Sequence, residues 1–205
     1  MYLVKTPWLL KKIYSKCAWN IDTKEKKIFL TFDDGPHPTA TPYVLDLLKQ
    51  YNAKATFFCI GKNVEENRNI YNRIIEEGHT VGNHTQHHLN GWKVSDDDYI
   101  NDIKQAANNI DSKLFRPPYG RISHFQIKLL QQMNFKIIMW DVLSGDFDIN
   151  LSKDKCANNV LLNAKEGSII VFHDSQKAWE RLQYTLPKVL DYFSKNGYQF
   201  DRILP

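Results

Sequence analysis

Two aspartates, Asp33 and Asp34, stand between the apolar run Ile28-Phe29-Leu30-Thr31-Phe32 and Gly35-Pro36. Neighbouring side chains of a strand point to opposite faces, so both carboxylates can serve one site only if the chain turns there, which Gly35 and Pro36 permit. Further on, Gly82-Asn83-His84-Thr85-Gln86-His87-His88 follows the short run His79-Thr80-Val81. If this stretch is helical, His84 and His88 share a face one turn apart, a spacing that brings two imidazoles to one metal ion while His87 points elsewhere. Two imidazoles and one carboxylate leave a position open for water, as in catalytic zinc sites, and Asp34 is the ready third ligand.

Three more clusters carry reactive groups. Arg116-Pro117-Pro118-Tyr119-Gly120 has two prolines to stiffen a loop and a glycine that lets backbone approach a ligand, and Arg116 can orient a carboxylate through a bidentate pair. Asp141 and Asp146 follow the run ending at Trp140, and one of these acids is a catalytic candidate. His173, with Asp174 beside it, comes directly after Ser168-Ile169-Ile170-Val171-Phe172. Trp92, just beyond the histidines, is placed to stack on a ligand ring.

These groups need a scaffold that gathers them. Short apolar, β-branched or aromatic runs predict seven strands, at 28–32, 55–60, 79–82, 114–116, 136–140, 168–172 and 198–200. Helical signals fill the intervals: 42–50, 63–76 before Gly78, 96–111 behind Ser95, 125–133 behind Ser123, and two more after Ser152 and Thr185, the last with Pro187 in its first turn. Continuously apolar strands separated by helices indicate a parallel sheet covered on both faces, and a βα barrel leads over an open doubly wound sheet. Asp33, Asp34, His84, Arg116, Asp146 and His173 all fall just past the carboxyl ends of predicted strands, which in a parallel barrel is one face.

Composition narrows the partners. The 205 residues hold 27 basic and 23 acidic side chains without a block of like charge, so nothing points to nucleic acid. With no repeat or linker, one domain over 1–205 is expected. Cys17, Cys59 and Cys156 form no CxxC pair and read as free thiols. The longest apolar runs are too short for a bilayer-spanning helix, and near the start only Trp8-Leu9-Leu10 precedes Lys11-Lys12, too little for a secretory signal. A cytoplasmic location follows, or an extracytoplasmic one if the chain is processed or exported by another route.

In sequence order these clusters resemble the five motifs of the polysaccharide deacetylase family, carbohydrate esterase family four, with its chitooligosaccharide-deacetylase homology domain. Thr31 to Pro36 is similar to the first motif, His84 to His88 the second, Arg116 to Gly120 the third, Leu143 to Phe147 the fourth, and Val171 to His173 the fifth. The resemblance implies a distorted, incomplete (β/α) barrel and a divalent metal, zinc first, held by Asp34, His84 and His88. It implies Asp33 as base with Arg116 orienting it, and His173 as acid with Asp146 as partner. It further implies that the backbone N–H of Tyr119, on the loop stiffened by Pro118, stabilises the oxyanion and that Phe147 and Val171 enclose the acetyl methyl. The implied reaction removes N-acetyl groups from an acetylated glycan or oligosaccharide such as a chitin oligomer or peptidoglycan. Rival expectations are an O-acetyl esterase on a xylan-like glycan, an amidase on a small non-carbohydrate amide, and a silent glycan-binding module. The chain departs from the family pattern at Leu143, Phe147 and Val171, where aspartate, tryptophan and leucine are usual.

Overall fold

A computed structural model describes residues 2–204; Met1 and Pro205, the ends of the expected single unit, lie outside the described residues. The strands are β1 (Lys27–Asp33), β2 (Thr56–Cys59), β3 (Thr80–Asn83), β4 (Leu114–Phe115), β5 (Lys136–Ile137), β6 (Val142–Leu143), β7 (Ile169–His173) and β8 (Gln199–Phe200). Seven run in the order β5-β4-β3-β2-β1-β7-β6, all neighbours parallel, while β8 lies beside the first residues of β1. This is the expected α/β distorted, incomplete barrel. All seven expected strands form, and β6 is an addition too short for its pattern to stand out. The expected strand to Trp140 stops at Ile137, so Asp146 follows β6 rather than β5.

The β5 and β6 strands do not meet; the amino-terminal stretch fills the seam between them. Lys5 bridges to Val142 of β6 and Ala18 to Ile138 just past β5. Buried Asp141 anchors this strap: its carboxylate accepts Lys5 Nζ and Lys11 Nζ at 2.6 Å each, and Ser168 Oγ at 2.7 Å. Three charge-assisted or hydroxyl donors on one carboxylate give Asp141 a structural occupation, and it is not a catalytic acid.

Alternation along β1 sorts its side chains between two environments. Phe32 stacks between Phe57 of β2 and Phe172 of β7, at centroid distances of 5.0 and 6.0 Å, in the cluster that includes Val44, Leu45 and Leu48 of α2 (Ala40–Gln50). Burying each such aromatic stabilises the fold by roughly 1.5–3 kcal/mol. Thr31 and Asp33 both reach Arg116, which lies fully buried against Phe58.

Three helical expectations are corrected. The single helix over 63–76 is two, α3 (Gly61–Glu66) and α4 (Arg68–Glu76), parted at Asn67. The Asn67 amide donates to the carbonyls of Asn63 and Pro36, competing with the backbone ladder. The last helix, α8 (Trp179–Lys195), begins before Thr185, placing Pro187 in its interior. Proline cannot donate to the carbonyl four residues back; the Tyr43 hydroxyl supplies that bond to Gln183 instead, at 3.2 Å. The third correction concerns the histidines: residues 84–88 form no helix.

The other helices follow expectation more closely. Ser95, Ser123 and Ser152 cap α5 (Asp96–Ala107), α6 (His124–Gln132) and α7 (Lys153–Leu161), and α1 (Trp8–Ile13) lies in the strap.

Candidate metal and catalytic centre

Asp34 directly follows the first strand with φ of 78°, a left-handed conformation that costs a non-glycine residue on the order of 1 kcal/mol or more. That reversal brings both aspartates to one site. Asn63 fastens it by donating to the Asp34 carbonyl at 2.7 Å. Gly35 is obligatory beneath, because an added Cβ would meet Asp174 Oδ2 at 2.1 Å. Asp174 is itself buried and held by the Thr41 hydroxyl, and burial pushes its carboxyl up to about 8.

His84 and His88 converge through a loop, with Thr85 and His88 at φ of 64° and 57°. Asp102 of α5 clamps this loop: one carboxylate oxygen accepts the N–H groups of Gln86 and His87, and the other the His87 ring at 2.6 Å. Among the described residues six non-glycines have positive φ, and four of them, Asp34, Thr85, His88 and Tyr119, belong to this centre. Backbone strain is concentrated where side chains must converge.

The result is a three-donor group. Asp34 Oδ1 lies 3.2 Å from His88 Nε2 and 3.8 Å from His84 Nε2. His84 Nδ1 donates to the Arg116 carbonyl at 2.7 Å, leaving Nε2 as the free lone pair, and His88 Nδ1 meets the Tyr119 hydroxyl at 3.1 Å. Burial lowers His84 to about 4, which keeps it neutral, as a ligand must be. Asp34 Oδ1 is buried without a hydrogen-bond donor, a costly state for a carboxylate oxygen unless a cation sits there. Burial would raise the Asp34 carboxyl, but His88, His173 and His84 together hold it well below the usual carboxylate range. The donor set fits a divalent metal.

Asp33 and His173 stand side by side, in register across β1 and β7. Arg116 donates to Asp33 Oδ1 at 2.7 Å, to the Thr31 hydroxyl at 2.6 Å, and to the carbonyls of Ile138 and Met139. It supports the site from inside the barrel and does not reach its mouth. Behind His173, Asp146 accepts the ring nitrogen Nδ1 at 2.7 Å. Burial opposes protonation of His173, but Asp146 outweighs it and raises the imidazole to about 9.

A cavity of about 820 Å³ opens over these groups. Asp33, Asp34, His84, His88, Tyr119, Phe147, Val171 and His173 line it, with Phe147 edge-on to His173 at 5.1 Å. Pro118 is buried in the turn 118–120, and it is Pro117 that lines the wall. Trp92 is exposed and lines an adjoining cleft, with Arg121 over its ring at 4.3 Å. Sequence reasoning missed Tyr2, Lys93, Arg121, Trp140 and Lys177, which also line it, beside Leu89, Asn90 and Leu143. Trp140 carried a signal, as the bulky residue ending a predicted strand; the others carried none.

No helix among the described residues is long and apolar enough to cross a membrane, and the three cysteines are free and buried. Against known proteins, the family described as polysaccharide deacetylase matches residues 20–138. A Bacillus cereus protein named peptidoglycan-N-acetylglucosamine deacetylase is 38% identical over 189 residues, which cover 89% of each chain. A second so named from the same organism is 42% identical over 174 residues, covering 82% of this chain and 62% of its own length. The crystal structure of a peptidoglycan N-acetylglucosamine deacetylase in complex with 4-naphthalen-1-yl-N-oxidanyl-benzamide superposes with a TM-score of 0.84 at 36% identity, over 97% of this chain and 95% of the other. With the fold, the donor group and this extent of similarity in agreement, the chain belongs to the polysaccharide deacetylase family.

Proposed function

We propose that residues 1–205 act as one catalytic unit that removes N-acetyl groups from an amino-sugar glycan of the peptidoglycan or chitin-oligomer kind, and that zinc is its metal. The observation that carries this reading is the placement of the Asp34, His84 and His88 donors beside the in-register pair Asp33 and His173. Zinc bound there would supply a Lewis acid and bring the pKa of a coordinated water toward about 7.

Asp33, held by Arg116, takes the proton of the water that attacks the acetamide carbonyl. The Tyr119 N–H, on its turned loop, stabilises the negative charge that develops on the carbonyl oxygen. Phe147 and Val171 enclose the methyl group. As the C–N bond breaks, imidazolium His173 gives its proton to the leaving nitrogen, so that acetate and a free amine result. The relatives' names support peptidoglycan as substrate and hence work outside the cytoplasm. Incubating zinc-loaded protein with chitin oligomers, peptidoglycan fragments and acetylated xylan, and measuring freed acetate, tests the reading; full metal occupancy with no acetate from any of them overturns it.

A further inference from the structure

The cavity that holds the three-donor group is unbalanced in charge at its rim. Among the described residues its only acids are Asp33 and Asp34, both committed inward, to Arg116 and to the histidines. Around them stand Lys93, Arg121 and Lys177, all exposed, and none has a carboxylate within 4 Å among the described residues. Their positions are held on two flanks. On the His88 side, Arg121 is stacked over Trp92, and Lys93 follows Trp92 in a turn closed by its N–H on the Asn90 carbonyl. On the His173 side, Lys177 stands 6.0 Å from the centre of the Phe147 ring. A neutral N-acetylglucosamine chain offers these three cations nothing but displaced water, whereas carboxylates carried by the sugars would be paired from both sides.

Resting on the deacetylase reading above, we propose that the glycan this cavity takes is acidic: it carries sugar-linked carboxylates that Lys93 and Arg121 on one flank and Lys177 on the other engage while the acetamide faces His173. Charge then selects substrate, by lowering KM for the acidic polymer, and does so through groups outside the reacting set. Screening makes the effect depend on salt, since the Debye length falls from about 30 Å at 0.01 M to about 10 Å at 0.1 M.

The test compares one oligosaccharide in two forms: a peptidoglycan glycan tetramer freed of peptides, with its lactyl carboxylates intact, and the same tetramer with those carboxylates converted to methylamides. Shape is kept and charge removed. The acidic form should show a roughly tenfold higher kcat/KM at low salt, expressed in KM, with the ratio shrinking as salt is raised. In Lys93→Gln/Lys177→Gln, and separately in Arg121→Gln, the ratio should fall toward one while thermal unfolding confirms an intact fold. Equal kcat/KM for the two forms, or a preference indifferent to salt and to these substitutions, overturns the proposal. Direct binding of both tetramers by calorimetry gives the same ratio without turnover. Preferential binding without acetate release would sink the deacetylase reading and leave the acidic-ligand site standing; release without preference would do the reverse.

Discussion

Asp146 grips His173 twice, accepting its backbone N–H at 2.8 Å with one carboxylate oxygen and its ring Nδ1 at 2.7 Å with the other. The first contact fixes where the residue sits, the second fixes the ring and its charge. Nε2 is thereby the nitrogen left to face the cavity.

This arrangement sets a pH dependence. Burial works against the imidazolium, yet Asp146 holds its pKa near 9, above the ordinary 6.5. As the proposed general acid, His173 is active when protonated, so kcat/KM should fall on the alkaline side, at or below pH 9, because a metal held by Asp34 would offset part of the negative field. Asp146→Asn should move that limb toward neutrality and cost about 10²- to 10⁴-fold in rate. The sign for stability follows: folded pKa above unfolded, so the contribution is complete below about 6.5 and lost between there and about 9. Melting curves of wild type and His173→Gln across pH 6 to 10 should converge as pH rises.

Removing a donor should remove the ion. Asp34→Ala, His84→Ala and His88→Ala are each expected to lose stoichiometric zinc by elemental analysis. In the wild type, zinc at a hundred times its dissociation constant should stabilise by about 2.7 kcal/mol, and the variants should show little of that gain. Retained stoichiometric zinc in all three would place the ion elsewhere.

Arg116 is the largest fully buried side chain, and its guanidinium lies 4.1 Å from the Phe58 ring centre. Arg116→Met leaves Asp33 buried without its partner and should cost about 3–5 kcal/mol in urea unfolding as well as activity. Arg116→Lys should rescue neither, because an ammonium cannot serve Asp33, Thr31 and two carbonyls at once.

Asp102 touches no metal donor, yet it holds the loop that carries them. Asp102→Ala should weaken zinc roughly tenfold, within the range for groups that orient ligands at second hand, while kcat at saturating zinc stays near wild type. An unchanged zinc affinity would show that the loop keeps its shape through Thr85 and Asn83 alone, whose N–H to Oδ1 bond is 2.8 Å.

Much of this centre was legible because parallel strands end in polar residues that point the same way. Asp33 and His173 were readable as strand-end residues, and their adjacency follows from β1 and β7 being neighbours. The pairing of His84 with His88 was also legible, though the expected helix is a clamped loop: the clamp, Asp102, lies on the next helix, and nothing local announces it. Tyr2 joins the cavity only because the amino-terminal strap crosses the gap between β5 and β6, a long-range event without a periodic signature. Pro187 misled for the opposite reason, since a rule about helix starts yielded to a hydroxyl from a distant helix.

The strap that fills the seam between β5 and β6 has a practical reach. Tyr2 at its start touches the Phe147 ring and lines the cavity, whereas at the other end of the described residues β8 lies beside the first residues of β1 and the Leu204 carbonyl accepts from Lys136 at the start of β5. Any polypeptide joined ahead of Tyr2 must therefore exit past the substrate entrance, and one joined behind Leu204 departs from the far end of the molecule. An affinity tag should be tolerated at the carboxyl side and should interfere with long glycans at the amino side.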